Sequence, residues 1–221
     1  LNSGASYSPE SDNWQPLPLS GAPEARFDHR AVPIGESLYV WGGDTGSSKI
    51  GSGAIYNFSS GAWTSMASTS APAARAGFSM VANGTQIIVW GGVGDSSLLN
   101  SGGIYETRDH TWSSLSTDAA GGATVQATAF HSTSWSGSKM IIWGGVTSSD
   151  GSVATDSMVS EANIYDTTAG SWSVRQYQNG QIFTRRGHTA VWTGTQLIIW
   201  GGAGTYLLGF TNRLKDGAIL T

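Results

Sequence analysis

Short, mainly apolar runs punctuate the chain, and each is closed by Trp-Gly-Gly. They are Ser37-Leu38-Tyr39-Val40 before Trp41, Gln86-Ile87-Ile88-Val89 before Trp90, Lys139-Met140-Ile141-Ile142 before Trp143, and Gln196-Leu197-Ile198-Ile199 before Trp200. Nearly continuous and rich in β-branched residues, they predict strands covered on both faces. The four tryptophans are 49, 53 and 57 residues apart, the period of a repeat unit that cannot bury its apolar face without a neighbour.

Polar turn residues bracket each run. Upstream, Asn83-Gly84, Ser136-Gly137 and Thr193-Gly194 predict tight hairpins in which glycine supplies the positive φ. Downstream, a Tyr is followed seven residues later by a Trp, at Tyr7 and Trp14, Tyr56 and Trp63, Tyr105 and Trp112, and Tyr165 and Trp172, with turn residues between. Each period therefore reads as four antiparallel strands, a to d from the axis outward, with no segment at helical spacing. The expected fold is all-β: a propeller of four-stranded blades, about four of them, either a closed four-bladed ring or part of a larger propeller.

The Gly-Gly doublet, the spaced Tyr and Trp, and an upstream Arg and His such as Arg185-Arg186-Gly187-His188 repeat in phase, and together they resemble the kelch family. The resemblance implies a β-propeller and leaves activity open, since one fold hosts unrelated functions. A single, complete or partial propeller domain is expected over 1–221. Its repeats fall at about 1–19 (strands c and d), 25–68, 74–117, 125–178 and 184–221 (strands a, b and c). In a four-bladed ring the N-terminal strand d could complete the last blade, but strand c would then be supplied twice. Either one copy is displaced to an edge or the chain is a piece of a longer propeller; because an unpaired edge invites aggregation, the second arrangement is favoured.

Composition narrows the function classes. A net charge of -4 and only three lysines leave no basic footprint for nucleic acid. With no Cys there is no disulfide, thiolate metal site or cysteine nucleophile. No run reaches the roughly twenty apolar residues of a membrane span. The Ser-, Thr-, Gly- and Trp-rich, Lys-poor make-up suggests a secreted or surface protein of bacterial type.

Antiparallel order places the b-to-c and d-to-a connections on one face of the disc. From the first Gly of the doublet to strand c, the spans are 14, 14, 21 and 19 residues, so length and variation gather on that face, where scaffolded binding loops belong. Candidate ligand-binding residues follow from the repeat. Arg26, Arg75 and Arg185 share one slot with Thr128, and His29, His131 and His188 share another with Phe78 three residues later. Arginines around one mouth could fork a carboxylate of an acidic peptide or sugar; their repetition favours instead a structural role, bonding the carbonyls of neighbouring blades. Tyr206 and Phe210 fall outside the repeat and offer an aromatic contact patch. No metal or other cofactor is expected, because side chains from separate blades need not converge to the roughly 2 Å ligand distances of zinc.

The leading expectation is a non-enzymatic scaffold that binds a protein segment or glycan on the long-loop face. A third reading is structural, one module of a larger surface or filament protein that self-assembles or pairs with further blades of a parent chain. The second is a sugar-processing enzyme. Among the enzymes that the kelch resemblance brings in, the copper radical oxidases need a Cys that this chain lacks; a mutarotase-like isomerase would pair a channel-mouth Arg with an acid or base such as Glu24 or His188. No catalytic residues are assigned, since no nucleophile elbow, zinc-protease or phosphate-loop motif occurs.

Overall fold

The computed structural model describes residues 1–119, 125–147, 158–176, 184–205 and 211–220. An N-terminal hairpin, β1 (Ala5–Ser8) and β2 (Asn13–Pro16), precedes three complete four-stranded sheets. Blade one comprises β3 (Arg30–Ile34), β4 (Ser37–Trp41), β5 (Gly53–Asn57) and β6 (Ala62–Ser65). Blade two is β7 (Ser79–Ala82), β8 (Gln86–Trp90), β9 (Gly102–Glu106) and β10 (Thr111–Ser114). Blade three is β11 (Ser132–Trp135), β12 (Lys139–Trp143), β13 (Glu161–Asp166) and β14 (Ser171–Gln176).

Blade four departs from this plan. Strands β16 (Thr189–Trp192), β17 (Leu197–Trp200) and β20 (Gly217–Leu220) form its sheet, with β20 beside β17 in the place of strand c. A second three-stranded sheet is built from β15 (Arg185–Arg186), β18 (Ala203–Thr205) and β19 (Thr211–Arg213). The innermost strands pack in succession, β3 on β7, β7 on β11 and β11 on β16. The fold is thus an all-β propeller of four antiparallel blades, as the periodicity predicts.

Each blade interface repeats one device. The b-strand Trp meets aromatic groups of the next blade: Phe78 stands edge-on to Trp41 with centroids 5.3 Å apart, and Trp112 lies 5.5 Å from the same ring. Trp172 packs 4.6 Å from Trp90, and His188 4.9 Å from Trp143. Burial of such rings dominates the energetics of these interfaces. The first Gly of the doublet is needed for this approach. At Gly42, with φ of 68°, an added Cβ would come within 2.6 Å of the Phe78 ring. The second Gly ties the blades by backbone: the Gly43, Gly92 and Gly145 amides donate to the Arg75, Thr128 and Arg185 carbonyls at 2.8, 2.8 and 2.9 Å.

Nearer the axis a second backbone thread joins the blades. The Gly77 amide donates to Asp28, Phe130 to Gly77 and Gly187 to Phe130. All four residues have positive φ, between 51° and 62°.

The expectation of two-sided burial holds for β8 and β12 but not for β17. Leu197 and Ile199 pack on blade three with Trp143 and Ile141, whereas Ile198 and Trp200 are exposed, Trp200 by 59%. Val191 and Ile219 lie exposed on the same side, in register with Ile198. The corresponding face of blade two, Val81, Ile88, Trp90 and Ile104, is packed under blade three. At the other end Trp14 is 66% exposed beside Tyr7.

Candidate functional site

The repeated arginine slot is a structural brace. Arg75 is fully buried, and its Nη1 donates to the Gly91 and Ser101 carbonyls at 3.0 and 2.6 Å, its Nε to Ala73 at 2.8 Å. Arg26 reaches Gly42 and Ser52, both at 2.9 Å, and Arg185 reaches Gly201 and Asp216, both at 3.0 Å. From its Nη1 each guanidinium therefore pins the start of its blade to both ends of its own b-to-c connection, and the Nε of Arg26 and of Arg75 adds a bond to the carbonyl two residues back, a second donor position that an ammonium lacks. Burial pushes the Arg75 pKa down to about 10, which leaves it charged at neutral pH. Of the two readings open in the sequence, the geometry favours bonding to carbonyls, those of the same blade rather than of its neighbour, and the Nη2 groups of Arg26 and Arg185 also meet the Glu24 and Asp216 carboxylates at 3.9 and 2.9 Å.

The histidine slot is likewise interior. His131 and His188 are buried, and His188 Nε2 lies 2.7 Å from Ser132 Oγ of the preceding blade. Burial, with Arg30 and His188 adding, pushes His131 down to about 3; burial and Arg185 push His188 down to about 4. Both are neutral at physiological pH. His29 is half-buried and also lowered, by burial first and then by Arg26 and Arg30. Among the described residues no three His, Asp or Glu side chains gather to hold a metal ion. Tyr206 and Phe210 lie outside the described residues.

A different set of residues comes together on the long-loop face. One rung of backbone pairing recurs at the base of every b-to-c connection: Phe27–Asp44–Lys49, Ala76–Val93–Leu98, Ala129–Val146–Met158 and Arg186–Ala203–Arg213. Antiparallel partners in register project to one side of a sheet. In blade one Asp44 and Lys49 form an ion pair, and the amide of Gly46 adds a bond to Asp44, which holds that carboxyl below the usual range. Blades two and three carry only apolar groups in this rung. Blade four carries two arginines about Ala203.

An open cavity of about 370 Å³ lies there, lined by Phe130, Arg186, Gly187, Gly202, Ala203 and Arg213. Arg186 Nε is buried without a hydrogen-bond partner. Sequence reading passes over Arg186 and Arg213 because neither occupies a repeated slot; aligning the rung across the blades is the signal that finds them.

Antiparallel blades locked by Trp-Gly-Gly to the next blade's slot define a kelch-type β-propeller. A protein-family model described as the KLHDC2/KLHL20/DRC7 Kelch-repeats domain matches residues 1–202, and the chain belongs to that family. No curated protein matches the chain.

Proposed function

We propose that the chain is a non-enzymatic recognition scaffold that binds a protein segment on the face bearing the long b-to-c and d-to-a connections. Kelch propellers are typically protein-interaction scaffolds. The observation that carries the reading is the extra sheet of blade four: β15, β18 and β19 turn a connection into a platform on that face. In blade two the same connection, Val93 to Ser101, is short. Loops set on a rigid scaffold are where recognition concentrates, and the slot arginines and histidines are spent on the scaffold itself.

The test is selection of displayed peptides on the folded chain, alongside a glycan array. Ser101 and Asp216 occupy equivalent places, since each gives its carbonyl to the slot arginine. Residues 203–216 can therefore be replaced by 93–101 without loss of the brace. Peptides that bind the native chain and not this graft are the expected result; ligands that bind both equally, or glycans alone, contradict the reading.

A second reading, an assembly unit, is favoured by the uncovered face of blade four. Val191, Ile198, Trp200 and Ile219 match a face that elsewhere is packed under the next blade, so a further blade of the same repeat is the fitting cover. Sedimentation that stays monomeric as concentration rises, with no change on Ile198→Lys, counts against self-association.

A further inference from the structure

We propose that the chain associates head to tail with a second copy of itself, the Trp14 ring of one copy's N-terminal hairpin seating on Trp200 and Ile219 of the other copy's blade four. This rests on the assembly reading and names the partner and its contact.

Two tryptophan slots meet across interior blade interfaces. The strand-b ring of one blade packs against the strand-d ring of the next, Trp41 on Trp112 at 5.5 Å and Trp90 on Trp172 at 4.6 Å, with planes at 52° and 50°. All four rings are buried. The strand-c isoleucine joins them: Ile55 shares a core cluster with Trp112, and Ile104 packs against the cluster that holds Trp172. Ile219 is the counterpart of Ile104, since it faces Ile198 in register as Ile104 faces Ile88. Trp200 fills the strand-b slot of blade four and Trp14 the strand-d slot of the N-terminal hairpin. They are exposed by 59% and 66%, and neither meets another tryptophan among the described residues.

The hairpin is already built as the outer half of a blade. Tyr7 stands opposite Trp14 in register with ring centroids 5.0 Å apart, as Tyr56 stands to Trp63 at 5.1 Å and Tyr105 to Trp112 at 5.0 Å. The bond of the interior interfaces holds it to blade one: Trp63 Nε1 donates to the Pro18 carbonyl at 3.0 Å, as Trp112 Nε1 does to Ala67 at 2.9 Å and Trp172 Nε1 to Ser116 at 2.8 Å. The hairpin thus stands where a blade before blade one would stand, and its outward side carries the ring that the blade-four face lacks. Within one copy the two rings stay apart, the hairpin fixed to blade one and blade four packed on blade three. In a second copy nothing holds them apart. Each copy keeps one face of each kind, so the contact is heterologous and repeats from copy to copy. It buries two indoles but few other side chains, below the roughly 1,200 Å² of a stable interface, so association is weak and grows with concentration. Val191, on the innermost strand, lies outside it.

The test is sedimentation velocity at rising concentration on the native chain, on Trp14→Ala, on Trp200→Ala and on an equimolar mixture of the two variants. Both rings are exposed, so the fold tolerates their loss. The native sedimentation coefficient should climb with concentration, and each variant alone should stay monomeric. The mixture should form a dimer and stop there, because only the Trp14 of one variant and the Trp200 of the other remain to meet. That rescue also separates a lost contact from a lost fold. Val191→Ser should associate as the native chain does. A native chain that is monomeric at every concentration overturns the proposal together with the assembly reading. Association that survives Trp14→Ala but not Trp200→Ala overturns this contact and keeps the assembly reading, as a face-to-face pairing of blade four. A mixture that stays monomeric, or association unchanged in both variants, likewise overturns the contact.

Discussion

His188 stands edge-on to Trp143 of the preceding blade, with ring centroids 4.9 Å apart and planes at 83°; Phe78 meets Trp41 in the same way, at 5.3 Å and 86°. An imidazole and a phenyl ring fill one role, so the slot selects a flat ring rather than a titratable group. Burial holds both interior histidines neutral, and that has a consequence for stability.

The folded-state pKa values of His131 and His188, about 3 and about 4, lie below the ordinary value near 6.5. The unfolded chain therefore takes up protons first as pH falls. Stability is complete above about pH 6.5 and declines as pH falls, down to about pH 4 for His188 and about pH 3 for His131, by on the order of 3 to 5 kcal/mol for each histidine at the acid limit. Urea unfolding from pH 7.5 to 4.5 checks this. His188→Phe, which copies Phe78, should retain stability at pH 7.5 and flatten the decline.

Arg75→Met should destabilise the chain by about 3 kcal/mol or more, since three carbonyl acceptors lose a charged donor inside the fold. Arg75→Lys should recover only part of that loss, because a single ammonium nitrogen in the place of Nη1 leaves the Ala73 carbonyl, held by Nε, without its donor. Equal midpoints for the lysine variant and the native chain in denaturant titration would refute the brace.

The tryptophans of strand b differ by position and not by type. Trp90 is wholly buried under blade three, and Trp90→Ala should cost about 3 to 5 kcal/mol. Trp200→Ala removes the equivalent ring from the uncovered face and should cost less than about 1 kcal/mol. Thermal unfolding of the two variants side by side distinguishes them.

Asp28 has a φ of 51° at a place in the axial thread where Gly77 and Gly187 sit. Asp28→Gly should relieve about 1 kcal/mol of left-handed strain, visible as a higher melting temperature. Gly77→Asp should do the opposite, since an added Cβ would meet the Phe130 ring at 2.8 Å.

The strands and their order were legible because the Trp-Gly-Gly doublet and the Tyr-to-Trp interval report demands that every blade makes: a ring to bury, and a backbone that must pass close to the next blade. The repetition of Arg26, Arg75 and Arg185 pointed to a structural role with carbonyl partners, but not to which carbonyls: they belong to the arginine's own blade and not to its neighbour, a choice that leaves no mark in a sequence. Strands β18 and β19 were hidden for another reason. They are three residues each and lack the alternation that betrays a longer strand. The one-sided burial of β17 was equally hidden, because Ile198 and Trp200 are the residue types of a covered strand. The site at Arg186 and Arg213 needed the rung register, which fixes Ala203 as the counterpart of Asp44.

Hydrogen exchange on the chain with and without a selected peptide tests the central claim most directly. Recognition at the blade-four platform predicts slowed exchange at Arg186, Ala203–Thr205 and Thr211–Arg213, with the a-to-b turns such as Asn83–Thr85 unchanged. Protection confined to those turns, or to the exposed face of β16, β17 and β20, would contradict it.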